Sequence, residues 1–165
     1  MEINKVIVGE LQTNCYVLIK DNKCLVIDPG DEYNKIREVI GNNEVIGVIV
    51  THHHFDHIGC LDKFDKNLIL DRNNLEEKEY NIGNFKFEVI YTPGHKEDCV
   101  TIYFKEENIM FTGDFIFKDA IGRIDLPGGN YNDMLNSLNK ISKYNKNILV
   151  YPGHGANTYL KDEIK

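Results

Sequence analysis

Basic residues are in short supply. Lysine and arginine total 19 against 26 aspartates and glutamates, a net charge of −7 at pH 7. A nucleic-acid ligand needs a basic face to neutralise its phosphates, and the absence of one excludes that class. The same scarcity leaves few cations for holding an anionic small molecule, so each basic side chain near a site counts. Cysteine is sparse as well: Cys15, Cys24, Cys60 and Cys99 stand 9, 36 and 39 positions apart. No C-x-x-C occurs, which removes a zinc knuckle and a thioredoxin-like redox pair. The thiols are expected to be reduced and buried, as in a cytoplasmic protein. A charged-then-apolar leader and an apolar run near ~18 residues are both missing, so neither export nor a membrane span is predicted. Low-complexity segments and internal repeats are absent too.

What remains is an ordinary globular composition, 42% hydrophobic and 27% charged over 165 residues. That is enough for one domain, 1–165, with its own core. Histidine is the residue that is not scattered. Four of the six fall within residues 50–60, as His52, His53, His54 and His57, with Asp56 among them; the others, His95 and His154, each close a Pro-Gly-His tripeptide. Imidazole and carboxylate at such spacing suit a first-row transition metal.

Hydrophobic patterning predicts how these residues meet. Short β-type runs at 3–8, 15–20 and 24–27 form a meander with polar turns at 12–14 and 21–22, ending on Asp28-Pro29-Gly30. Tyr33, Ile36, Val39 and Ile40 predict a helix over 32–41. An apolar run at 45–50 reads as a strand covered on both faces. A short helix then begins at 55, and a strand follows at 67–70. Residues 71–84 read as a solvated connection, 85–91 as a half-exposed strand, and 99–104 with 109–111 as a hairpin. No period is visible over 115–130. A helix is predicted over 131–144, with Met134, Leu135, Leu138 and Ile141 on one face, and a last strand at 148–151. Repeatedly a strand ends and a small turn presents a polar residue: Asp28, the 52–57 cluster, His95, Asp114 and His154. Their strand ends are expected to share one edge.

His52 and His54, two apart in an extended segment, point to one side, whereas His53 points away and reads as an ordinary loop histidine. With Asp56, His57, His95, Asp114 and His154 this gives seven candidate ligands, five imidazoles and two carboxylates. Three protein ligands and an open position suffice for one catalytic zinc, so seven suit two ions sharing a carboxylate. Such a pair activates a water and polarises the bond under attack without a serine or cysteine nucleophile.

T-H-H-H-F-D-H resembles the T-H-x-H-x-D-H signature of the metallo-β-lactamase superfamily, and Pro-Gly-His95, Gly113-Asp114 and Pro-Gly-His154 match its later motifs in order. Asp28 in Val-Ile-Asp-Pro-Gly resembles its early aspartate beside the site. The segments 11–16 and 122–129 are similar to the glyoxalase II-like (hydroxyacylglutathione hydrolase-like) branch. The resemblance implies a four-layer αββα sandwich in α/β class. It implies two divalent ions, zinc first with iron or manganese as alternatives, one at His52, His54 and His95, the other at Asp56, His57 and His154, with Asp114 bridging. It implies hydrolysis of a small-molecule thioester by a metal-bridging hydroxide that Asp56 orients. Arg123 keeps a basic residue that the branch uses for substrate, but Asp125 stands where that branch has an aromatic. Chain length implies no C-terminal substrate domain. Lys96 and Lys118 are expected in solvent, and Tyr159 in edge packing. The competing reading is a persulfide dioxygenase with one iron at His52, His95 and Asp114; a metal-binding protein without activity is the remaining one.

Overall fold

A computed structural model describes residues 1–164. Strands β1 (Glu2–Val8), β2 (Thr13–Lys20) and β3 (Lys23–Ile27) form the expected antiparallel meander. Asp21 and Asn22, both in the left-handed region (φ 52° and 64°), make the two-residue turn between β2 and β3. Short polar side chains tolerate that conformation. Helix α1 (Tyr33–Ile40) leads to β4 (Glu44–Ile49), parallel to β3. Helix α2 (Phe55–Ile58) and two short helical turns then precede β5 (Ile69–Leu70), which completes a five-stranded sheet in the order β1-β2-β3-β4-β5.

The second half builds another sheet. Strands β6 (Glu79–Ile82), β7 (Phe85–Tyr91), β8 (Val100–Phe104) and β9 (Ile109–Gly113) run antiparallel in turn. A small ribbon of β10 (Ile116–Phe117) and β11 (Ala120–Ile121) follows, then α3 (Tyr131–Ile141), β12 (Leu149–Pro152), β13 (Thr158–Tyr159) and α4 (Leu160–Glu163). The sheet order is β13-β12-β9-β8-β7-β6, with β12 parallel to β9.

The sheets face each other across the largest core, where Tyr16, Leu18, Leu25 and Ile27 meet Phe85, Phe87, Phe104 and Phe111. Helix α1 covers the outer face of the first sheet with Ile36 and Ile40. Helices α3 and α4 cover the second with Met134, Ile141 and Leu160. Four layers, α/β/β/α, result. Because helices and the facing sheet cover both faces, β2, β3 and β8 are buried along most of their length rather than at alternate positions. The four cysteines are free and buried. Among the described residues no helix is long and apolar enough to cross a membrane.

Three expectations need correction. The stretch 71–84 is not merely a solvated connection, because it carries edge strand β6 and the core residue Leu75. An edge strand half open to water has no strong apolar pattern to betray it. Helix α3 stops at Ile141, three residues early, and Tyr144 turns its hydroxyl to Glu88 Oε1 at 2.8 Å. The residues after His154 form β13 and α4, with Leu160 fully buried.

The two sheets are stitched together at one edge by Asn14. Its backbone N–H donates to Gly153 O at 2.7 Å, and its side-chain amide to Pro152 O and Gly155 O, each at 3.0 Å. Tyr16 donates its hydroxyl to the same Pro152 carbonyl at 2.6 Å. Asn14→Ala is therefore expected to lose about 2 kcal/mol in urea unfolding, and Tyr16→Phe about 1 kcal/mol. Unchanged stability of Asn14→Ala would show that the stitch carries no weight.

Candidate metal centre

Strand direction explains why distant residues converge. β7 and β9 are both antiparallel to β8 and so point the same way, and β12 is parallel to β9. β3 and β4 are likewise parallel. The C-terminal ends of β3, β4, β7, β9 and β12 therefore open on one side of the sandwich and present Asp28, the 52–57 loop, His95, Asp114 and His154 there. Carboxyl-end loops are the usual seat of sites in such sheets.

Two groups of ligand atoms result, each with all members within 4.8 Å of one another: His52, His54, His95 and Asp114, and Asp56, His57, Asp114 and His154. Asp114 belongs to both. In the first, His95 Nε2 lies 3.0 Å from His54 Nδ1, and both His52 Nε2 and His95 Nε2 lie 3.6 Å from Asp114 Oδ2. In the second, His154 Nε2 is 3.1 Å from Asp56 Oδ2 and 3.5 Å from Asp114 Oδ2, and His57 Nε2 is 3.2 Å from Asp114 Oδ1. Three of these atoms, His52 Nε2, His57 Nε2 and Asp114 Oδ1, are buried without a hydrogen bond. A buried polar atom left unpaired is costly. Lone pairs converging on a shared point suit a cation, and imidazole with carboxylate is a donor set for zinc, iron or manganese. The residues fit two ions.

The outward nitrogens are held by acceptors. His57 Nδ1 faces Asp28 Oδ2 at 2.8 Å, His95 Nδ1 faces Arg123 O at 2.8 Å, and His154 Nδ1 faces Leu11 O at 3.1 Å. Each must therefore carry its proton on Nδ1, which leaves Nε2 as the inward lone pair. Thr51 extends the logic to His52: its hydroxyl donates to Asp28 Oδ2 at 2.6 Å, so its oxygen accepts from His52 Nδ1 at 3.2 Å. Asp28 is thus the hub of the loop, also accepting from Thr51 N at 2.8 Å. Thr13 donates to Asp56 Oδ2 at 2.9 Å. His53, turned outward, pairs with Asp71 at 2.8 Å while its backbone N–H donates to Asp98 at 2.9 Å, bracing the loop between the two inward histidines.

Close approach makes Gly153 obligatory. A Cβ there would overlap Asp114 Oδ1 and stand 2.8 Å from His57 Cε1, inside the second ligand group. At Gly113, φ is +55° and a Cβ would lie 2.5 Å from Thr51 Oγ1.

Without a cation, the cluster balances charge with protons. Burial pushes His57 and His154 downward, yet carboxylates outweigh it. Asp28 and Asp114 raise His57 well above the usual imidazole range, and Asp114 with Asp56 raises His154 to about 9. Burial alone would lift Asp56, but His154, His57 and Thr13 bring it to about 2. Burial beside His52 and His95 lowers His54 to about 4. A histidine raised in the folded state stabilises fully below its unfolded value of 6.5, and the contribution fades as pH rises through the folded value, about 9 for His154. Metal-free protein is therefore expected to melt at falling temperature between those two values, with a shallower fall in His154→Gln. Loading with metal, which replaces the protons, should flatten the dependence. A melting temperature flat over that range without metal would contradict this charge balance.

The remaining predicted residues separate. Arg123 lines the cavity over the ligands, but its guanidinium is gripped by Asp125 through Nε–Oδ1 at 2.7 Å and a second bond at 2.8 Å. Lys96 lines it too and pairs with Asp98 at 3.3 Å. Lys118 is in solvent. Tyr159 stands exposed on β13 with the Lys161 ammonium over its ring, away from the ligands. Sequence reasoning passed over Thr13, Asn14, Thr51 and Asp98, of which the first three are buried polar residues. Thr51 had one signal, adjacency to His52; the others had none until their partners were placed.

Comparison with known proteins bears on the family and the fold. The family model described as the metallo-beta-lactamase superfamily matches residues 8–72 and 68–154. A probable metallo-hydrolase of Bacillus subtilis, YqgX, is 34% identical over 96% of this chain and 92% of its own length. The hydroxyacylglutathione hydrolase GloC of Haemophilus influenzae is 28% identical over 99% of this chain and 95% of its own. The crystal structure of TTHA1623 in a di-iron-bound form superposes with a TM-score of 0.86 at 27% identity, covering 97% of this chain and 96% of that one. The chain belongs to the metallo-beta-lactamase superfamily.

Proposed function

We propose that the protein hydrolyses a small-molecule thioester at a two-ion centre, as a hydroxyacylglutathione hydrolase-like enzyme with zinc as first candidate for the resident metal. The observation that carries this is the membership of Asp114 in both ligand groups, which suits two adjacent ions rather than one. Relatives named as hydroxyacylglutathione hydrolases at about 30% identity support the thioester. In this reading His52, His54 and His95 hold one ion, Asp56, His57 and His154 the other, and Asp114 bridges.

Hydrolysis adds water across the acyl C–S bond: the water oxygen bonds to the carbonyl carbon, the C–S bond breaks, and a carboxylate, a thiol and one proton leave. Two divalent ions, when bound, lower the pKa of a water between them and polarise the carbonyl. The chain's own residues do the positioning. Against burial, His154, His57 and Thr13 hold the Asp56 carboxyl at about 2, so it is ionised at neutral pH, suits a cation's ligand and has no proton to donate as a general acid. Asp28, Arg123 O and Leu11 O keep the imidazoles in the tautomer that offers Nε2 inward. No serine or cysteine nucleophile is needed, and Cys60 and Cys99 are buried.

The test is elemental analysis of protein purified without chelator, followed by thiol release from a thioester series. About two ions per chain with turnover that a chelator abolishes is the expected result. One iron per chain with oxygen uptake on a persulfide would replace this reading with the dioxygenase arrangement at His52, His95 and Asp114.

A further inference from the structure

The cavity over the ligands, about 470 Å³, has an apolar wall, and its two basic residues, Arg123 and Lys96, are each paired with a carboxylate. Leu11 from the β1–β2 turn, Phe55 at the start of α2, and Leu126 with Pro127 before α3 line it beside His54, His95 and His154. Phe55 is 76% exposed and Leu11 52%, large fractions for side chains of this kind. Single exposed apolar residues are ordinary, but four converging on one cavity beside metal-competent ligands form a binding surface.

Charge narrows what that surface accepts. Arg123 and Lys96 are the basic residues lining the cavity, and both are engaged. Asp125 grips the Arg123 guanidinium through two bonds, and Lys96 lies 3.3 Å from Asp98 Oδ1 and 3.5 Å from Glu97 Oε1. The cleft on the other side of Leu11 and Phe55 presents Glu10 and Asp31 and has no lysine or arginine in its lining. A substrate tail carrying carboxylates, such as the glutathione tripeptide, would meet cations whose charge Asp125, Asp98 and Glu97 already offset, and would gain little by leaving water.

From this wall and its paired cations we infer that the thioester taken by this centre has an uncharged, apolar body packed on Leu11, Phe55 and Leu126, and that the Arg123–Asp125 pair selects against anionic thiols. The inference rests on the thioester reading above and names its substrate class. It makes Asp125 a specificity-determining residue acting through Arg123.

The experiment compares one acyl group presented on two thiols, neutral N-acetylcysteamine and anionic glutathione, with the metal-loaded protein. The neutral thioester is expected to have kcat/KM about tenfold higher or more. Phe55→Ser should raise KM for the neutral compound about tenfold with kcat little changed, since Phe55 lines the cavity but belongs to neither ligand group. Asp125→Asn should release Arg123 and lower KM for the glutathione thioester severalfold, leaving the neutral one where it was. A glutathione preference in the unaltered protein, or no response to either substitution, overturns the inference. Turnover of neither compound by protein carrying two ions defeats the thioester reading instead. Calorimetry on the intact pair then decides the selectivity separately: tighter binding of the neutral compound upholds it, and equal or tighter binding of the glutathione thioester overturns it.

Discussion

Asp114→Ala is expected to reduce the protein to at most one ion per chain and to slow turnover about a thousandfold, which at about 1.4 kcal/mol per decade is ~4 kcal/mol of activation free energy. Each ligand group would keep three members, enough for a single ion. Two divalent cations side by side, however, repel one another, and Asp114 is the anion shared between them. Its removal leaves Asp56 as the sole carboxylate among the ligands. Elemental analysis alongside steady-state kinetics measures both quantities. His53→Ala is the comparison, because that imidazole faces Asp71 and should leave two ions in place. Two ions retained in Asp114→Ala with near-normal turnover would refute the shared-carboxylate centre.

The second large effect belongs to Asp28. This residue is 1% exposed and receives Thr51 N, Thr51 Oγ1 and His57 Nδ1. Asp28→Ala strands three buried donors and should destabilise the metal-free protein by about 3–5 kcal/mol. Its φ of +55° adds about 1 kcal/mol for alanine, since left-handed backbone is poorly tolerated by that side chain. Asp28→Asn keeps the shape, suits that backbone and can still accept from Thr51 N. Its amide, though, meets the His57 N–H with another donor. Both variants should lose metal affinity by about 10- to 100-fold, because His57 is no longer held in its tautomer. Only alanine should lose the larger share of stability. Denaturant unfolding and competition with a chelator separate the two quantities, and intact affinity in either variant would dismiss Asp28 as an organiser of the centre.

The seven candidate ligands were legible as a cluster because each carries an unusual side chain at or just after the end of an apolar strand, and the structure brings them into two adjoining groups. His52, His54, Asp56 and His57 declare themselves by spacing, and His95 and His154 by the Pro-Gly before them. The four layers came from the resemblance to the superfamily; the residues by themselves marked only 45–50 as a strand covered on both faces, and the fully buried β8 and nearly fully buried β3 agree with that picture. What escaped was whatever depends on a partner far along the chain. Thr13 and Asn14 look like turn residues until Asp56 and Pro152 arrive beside them. Strand β6 is visible only through its pairing with β7, since its own pattern is half exposed. Arg123 is a different case: a loop-bracing salt bridge and an anion contact were equally open from the sequence, and the structure pairs its guanidinium with Asp125, two residues on.

The strand ends that meet at the centre come from both sheets, and the last of them, β12, lies about a hundred residues after the 52–57 loop. During synthesis, the early histidine cluster therefore leaves the ribosome long before Asp114 and His154 exist to complete either ligand group. Closing so long a loop is slow and comes late in folding. The second ligand group is accordingly complete only when β12 docks on β9 and the Asn14 stitch holds the His154 loop. An ion captured earlier would sit among His52, His54, Asp56 and His57 alone. The protein's history of metal exposure while folding, and not only the affinity of the finished site, would then decide which ion it carries.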